Sequence, residues 1–227
     1  MTGHDGRFTV GISARLGRGY VSGDFLWSAT HFADRARQLE DEPSRRQQDD
    51  EHRSCVTASI LNSAGLLEAT INEWFDDVAD GYLQGHVEAL APFEVQIRTY
   101  WTVSGGNDRV LDRYEMLFGL TGHDVIPKGE EPWQGARDLI SLRNELMHAH
   151  PKSDEVHRLE KALRNRFPDN KLMADDTGHP WWPYHCLGAG CAKWSYESAV
   201  VFVERVADEL GLKPKYRQRM RQYRGPT

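Results

Sequence analysis

The stretch Leu142-Arg143-Asn144-Glu145-Leu146-Met147-His148 gathers a guanidinium, an amide, a carboxylate and an imidazole. An arginine can hold two phosphate oxygens at once while charge builds on them. A histidine can take a proton from a hydroxyl or return one to a leaving oxygen near neutral pH. Together these tools suffice to cut RNA by attack of its own 2′-hydroxyl, with no metal required. Helical spacing places Asn144 and His148, four residues apart, on one flank. Glu145 stands three residues before His148, where the negative pole of the helix also lies. At about 100° per residue, Leu139, Ile140, Leu142, Leu146 and Met147 fill one arc, and Arg143 falls in its middle. A guanidinium stays charged, so burial there demands a carboxylate, a group of carbonyls or a bound phosphate.

Spacing alone is weak support. With 21 arginines and ten histidines among 227 residues, about one Arg-x4-His pair arises by chance. Arg46 and His52 form a similar pair with no apolar setting. The leucines around Arg143, the asparagine beside it and the helix end after His148 set this pair apart. A structural alternative stays open, in which Arg143 is paired with Glu68 or Glu73 and His148 is an ordinary helix-end histidine.

Arg143-Asn144-Glu145-Leu146-Met147-His148 resembles the R-N-x-x-x-H motif of HEPN domains, a helical family of bacterial toxin–antitoxin and defence systems and of RNA-guided CRISPR effectors. The likeness extends over about Phe25 to Leu212 and is sharp in the motif alone. It implies an all-α, antiparallel helical bundle of HEPN type. It implies a metal-independent endoribonuclease acting as a toxin or anti-phage defence effector, built as a homodimer whose two motifs form one composite site. By the same resemblance Arg143 binds phosphate, Asn144 orients the site and His148 transfers protons. Glu145 would support His148, and Glu68, with Asn72 on the same face of an earlier helix, would partner Arg143. His150 also lies within the family's permitted spacing, but it abuts Pro151 and should be leaving the helix. The competing implication is a non-catalytic HEPN scaffold that binds a nucleotide or a partner such as a nucleotidyltransferase antitoxin. A purely structural helical adaptor is a third.

The elements that must carry this segment are legible from apolar periodicity. Residues 1–23 read as an extended N-terminal arm or short hairpin, glycine-rich with the alternating run Phe8-Thr9-Val10-Gly11-Ile12. Residues 24–212 read as the helical domain. Asp24 is expected to cap a helix to about Glu42, stopped by Pro43. Ser44 is expected to open a long helix whose buried face holds Val56, Ile60, Ala64, Leu67, Ile71, Trp74 and Val78. Helices follow over Val87–Val103, broken near Pro92, over Asp108–Leu120 and over Trp133–Ala149. Another runs from the Ser153-Asp154-Glu155 cap to about Arg166. Residues 168–185 read as irregular, and a last helix spans about Gly188–Leu210, ended by Gly211.

Composition limits the classes. Hydrophobic residues are 39% and charged residues 27%, as in a folded domain rather than a disordered chain. No apolar run is long enough to span a membrane, no signal peptide is visible, and three cysteines give no disulfide framework, so a cytoplasmic location is expected. The formal charge of −6 argues against binding nucleic acid by bulk attraction. That average hides a basic tail over 213–227, with Lys213, Lys215, Arg217, Arg219, Arg221 and Arg224 among two tyrosines. The tail can grip an RNA backbone or simply be solvated.

Two further groups invite chemistry. His179, His185, Cys186 and Cys191 suggest zinc, but their spacing lacks the usual paired pattern, and no metal is expected. Trp181, Trp182 and Tyr184 could stack bases but more readily cap the end of a core. Gly17-Arg18-Gly19 matches neither a P-loop nor a dinucleotide fingerprint, so no cofactor is expected.

Overall fold

The computed structural model describes residues 18–42, 49–148 and 154–218, with side chains from residue 158 onward in the last segment. Among the described residues the chain is helical and contains no strand. The helices are α1 (Ser22–Asp41), α2 (Asp50–Ala79), α3 (Glu94–Ser104), α4 (Val110–Thr121), α5 (Glu131–Met147), α6 (Asp154–Leu163) and α7 (Ala189–Leu210). A 3-10 segment, Glu88–Phe93, leads into α3, and short turns at Lys171–Met173 and Trp181–His185 lie between α6 and α7. The result is an all-α bundle.

α2 is the central element, packed along α1, α7 and α3, while α5 lies mainly on α7. Its predicted face holds: Val56, Ile60, Ala64, Leu67, Ile71, Trp74 and Val78 are all buried. Small residues on α1, Ala29, Ala33 and Ala36, are buried too, which lets the two long helices approach closely. Ser59 of α2 donates to Ala29 O at 2.8 Å and Ala192 O at 3.2 Å, joining α1, α2 and α7 through one hydroxyl. Trp74, Tyr114 and Phe202 fill the centre with edge-to-face contacts. The Tyr114 hydroxyl donates to Leu67 O at 2.8 Å.

Several boundaries differ from the sequence reading for identifiable reasons. α1 starts at Ser22 rather than after Asp24, because a carboxylate from α2 supplies the cap. Glu73 Oε1 accepts from the Val21 and Ser22 amides at 2.8 Å each, and Oε2 accepts from the Ser22 hydroxyl at 2.7 Å. Burial lifts the Glu73 carboxyl above its ordinary range, a shift those hydrogen bonds oppose. α2 opens at Asp50, not Ser44, since Asp49 accepts from the His52 amide at 2.7 Å.

The ends of the domain also move. The arm expected over residues 1–23 lies outside the described residues through residue 17. From residue 18 the chain is part of the body: Arg18 pairs with Asp77 at 2.6 Å and with Asp80, and Tyr20 donates to Asp77 at 2.9 Å. The basic tail likewise does not begin free at Lys213. The Lys213 amide donates to His86 O at 3.0 Å, and buried Tyr216 donates to Glu204 at 2.8 Å. No helix among the described residues is long and apolar enough to cross a membrane.

Candidate functional site at the C-terminal half of α5

The buried face of α5 consists of Trp133, Gly135, Ala136, Asp138, Leu139 and Leu142. This corrects the expected arc. Because α5 leans on α7, the core-facing line runs through Leu139 and Leu142. Ile140, Arg143 and Leu146 are half-buried at its edges, and Met147 is 55% exposed. Arg143 therefore sits on the rim of the core rather than in its middle.

Its surroundings also differ from the structural alternative. Glu68 is taken by Arg113 of α4 at 3.1 Å, and Asn72 accepts from the same guanidinium. Glu73 is occupied by the start of α1. Arg143 itself donates to Asn144 Oδ1 at 2.9 Å, and no carboxylate among the described residues lies within ion-pair distance of it. Glu68 and Asn72 thus meet an arginine, but not the expected one.

Arg143 opens into a cleft of about 570 Å³ between α1, α2, α4 and α5. Its walls include Phe25, Leu61, Glu68, Arg109, Val110, Arg113, Ile140, Asn144 and Met147. His148 faces a second hollow of about 720 Å³ with Arg137, Asp138, Ser141, Glu145 and Arg158. Helical geometry explains the division: positions five apart are about 140° apart around the axis, so Arg143 and His148 leave opposite sides of the ridge. Asn144 lies on that ridge and lines both hollows.

His148 is exposed and ends α5, its amide donating to Asn144 O at 2.9 Å. Glu145 is half-buried, and its Oε1 is shielded from solvent with no hydrogen-bond partner among the described residues. Glu145 and His148 line the same hollow, and a carboxylate oxygen shielded in this way can accept from a donor carried by a bound ligand. Buried Asp138 anchors the other end of this hollow through Arg166 at 3.0 Å and Arg137 at 3.0 Å. His150, the alternative histidine, lies outside the described residues.

The remaining candidates scatter. Arg217 pairs with Glu204 and reaches toward Asp208, so most of its charge is answered within the fold. Lys215 lies over the Tyr20 ring, 4.4 Å from its centroid, and Lys213 is exposed. Arg219, Arg221 and Arg224 lie outside the described residues. His179 and His185 both approach Asp176, at 2.9 and 3.4 Å, whereas Cys186 and Cys191 are buried. Burial pushes the Cys186 thiol well above its usual range. Among the described residues no three His, Cys, Asp or Glu side chains are placed to share a metal ion. Trp181 is buried against Phe167, with its indole N–H donating to Asp169 at 2.8 Å, at the end of the core.

The arginine that sequence reasoning missed is Arg113. It is 2% exposed, and the only hint was its place on a helix rich in apolar residues, Val110, Leu111, Tyr114, Leu117 and Phe118. Compared with protein-family models, curated proteins and solved structures, the chain matches none.

Proposed function

We propose that this protein is a metal-independent endoribonuclease of HEPN type, acting through Arg143, Asn144 and His148. The observation that carries this reading is Arg143 itself: it keeps no acid partner among the described residues and faces an open cleft. An uncompensated guanidinium at a cleft mouth suits an anion brought by a substrate. Exposed His148, one helical turn beyond Asn144, suits proton transfer at the surface of a bound strand.

In the proposed reaction the RNA 2′-hydroxyl loses its proton to an imidazole and its oxygen attacks the adjacent phosphorus. The bond from phosphorus to the 5′-oxygen breaks, and that oxygen is protonated as it leaves. The products are a 2′,3′-cyclic phosphate and a 5′-hydroxyl. Arg143 offsets charge on the phosphoryl oxygens. Since Arg143 and His148 open on opposite sides of the α5 ridge, a second copy of the chain would complete the enclosure, one His148 serving as base and the other as acid. A toxin or anti-phage defence role follows from the motif resemblance, as does a nucleotidyltransferase partner acting as antitoxin.

The test is digestion of single-stranded RNA in excess EDTA by the wild type, Arg143→Ala and His148→Ala, all purified identically. Cutting by the wild type and its loss in both variants supports the reading. Equal cutting by all three marks a contaminant, and no cutting by any favours the non-catalytic scaffold.

A further inference from the structure

We infer that the cleft between α2, α4 and α5 is a binding subsite for a phosphodiester of single-stranded RNA, held by Arg109 and Arg113 together with Arg143. This rests on the RNA-directed reading above and assigns the part of the strand that lies beside the cut. Three independent features converge there. First, Arg113 is 2% exposed, yet its Nε–H has no partner among the described residues, although Glu68 and Asn72 hold its two terminal nitrogens. An unpaired buried donor is destabilising, and an incoming anionic oxygen would offset that cost. Second, α4 begins in this cleft with no side chain capping it among the described residues: Arg109 is its extended N-cap residue, and Val110 and Arg113 line the cleft. The free amides of a helix's first turn and its positive pole favour an anion. Third, Arg109 is exposed, and like Arg143 it has no acid within ion-pair distance among the described residues.

Two acids line the same cleft and do not cancel this set. Glu68 is committed to Arg113, and Asp108 accepts from the Tyr100 hydroxyl at 2.6 Å. Three guanidinium groups thus face two carboxylates that are already engaged. The rest of the lining includes apolar side chains: Phe25 and Leu61 from α1 and α2, and Ile140 and Met147, which flank Arg143 on α5. The Phe25 ring lies so close over Gly65 that a Cβ there would meet it at 2.7 Å. Arginines interspersed with an aromatic ring and aliphatic side chains in a cleft of about 570 Å³ suit a phosphate and base of a single strand.

The experiment measures binding, not cutting, on a His148→Ala background, using a fluorescently labelled, mixed-sequence RNA of about 12 nucleotides over a salt series. Arg109→Glu should weaken binding about tenfold and flatten the salt dependence, each lost phosphate contact removing about 0.7 from the slope. Lys193→Glu, the same charge change at an exposed position on α7, should alter affinity by about twofold or less. Arg113→Lys keeps the charge but loses the fork and should weaken binding several-fold. If that variant fails to fold by circular dichroism, Arg109→Glu alone decides. Equal effects of Arg109→Glu and Lys193→Glu would overturn the subsite. So would a loss of nucleoside 5′-monophosphate binding in Arg109→Glu with RNA binding untouched, which would assign the cleft to a free nucleotide. Arg109-dependent binding of RNA that the wild type never cuts would sink the nuclease and keep the subsite. Full cutting by a chain carrying only Arg109→Glu, with unchanged binding, would do the reverse.

Discussion

Removing Arg113 and Arg143 one at a time should have very different consequences for stability. Arg143→Ala deletes a side chain whose hydrogen bond is an exposed one to the neighbouring Asn144. Such a bond contributes about 0.5 kcal/mol net. In a domain of this size 1 kcal/mol moves the midpoint by about 2–4 °C, so the expected fall is about 1–2 °C. Arg113→Ala deletes a buried side chain that holds Glu68 at 3.1 Å and Asn72. The Glu68 side chain is 45% exposed and can be rehydrated, which discounts the ion pair. Two charge-assisted hydrogen bonds and a cavity beside Tyr114 remain to be lost, less the relief of the orphaned Nε, about 3 kcal/mol together. That corresponds to a fall of about 6–12 °C. Differential scanning fluorimetry on the two purified variants, with circular dichroism to confirm helicity, reads both numbers. A loss for Arg143→Ala as large as that for Arg113→Ala would refute the reasoning, because Arg143 would then serve the fold and not a ligand.

Other perturbations have equally definite outcomes. Glu73→Ala strips the cap from α1 and leaves the buried Ser22 amide and hydroxyl and the part-buried Val21 amide without their acceptor, so it should cost about 2–3 kcal/mol and lower the midpoint by about 4–12 °C. Glu73→Gln tests the raised Glu73 carboxyl. A carboxyl raised in the fold contributes stability below its unfolded range that is lost as pH rises through the folded value, so the Gln variant should gain on the wild type as pH rises above the ordinary carboxylate range. An unchanged difference over that rise would contradict the burial argument. Gly190→Ala should lower stability by about 1–3 kcal/mol, since its Cβ would lie 2.6 Å from Pro168 O and force apart α7 and the preceding loop. Gly65→Ala should push the Phe25 ring off α2 toward the cleft and weaken RNA binding while leaving the fold intact.

How far the sequence carried the description depended on whether a feature was local. The buried line of α2 from Val56 to Val78 was legible because helical period alone determines it. The glycine end of α7 and the break at Pro92 were legible for the same reason, since each acts through its own backbone. The cap of α1 was not, because Glu73 reaches it from about fifty residues away, and no local pattern encodes that contact. The setting of Arg143 was half legible. Its neighbours showed an apolar helix, but which side of α5 meets α7 was not encoded in the segment, so the arginine was placed one step too deep. Glu68 and Asn72 stood out correctly as a pair on one face of α2. Their partner, Arg113, could be identified only after α4 was set against them.

The division of Arg143 and His148 between two hollows gives the account its sharpest requirement, since a split site must still act on one phosphate. The most direct measurement uses a chimeric RNA with a single 2′-deoxy substitution at a mapped cut position, digested in EDTA with product ends identified by mass spectrometry. Cutting should stop at the substituted position alone, and elsewhere the products should carry 2′,3′-cyclic phosphate and 5′-hydroxyl ends. Continued cutting at the 2′-deoxy position, or products bearing 5′-phosphates, would contradict it.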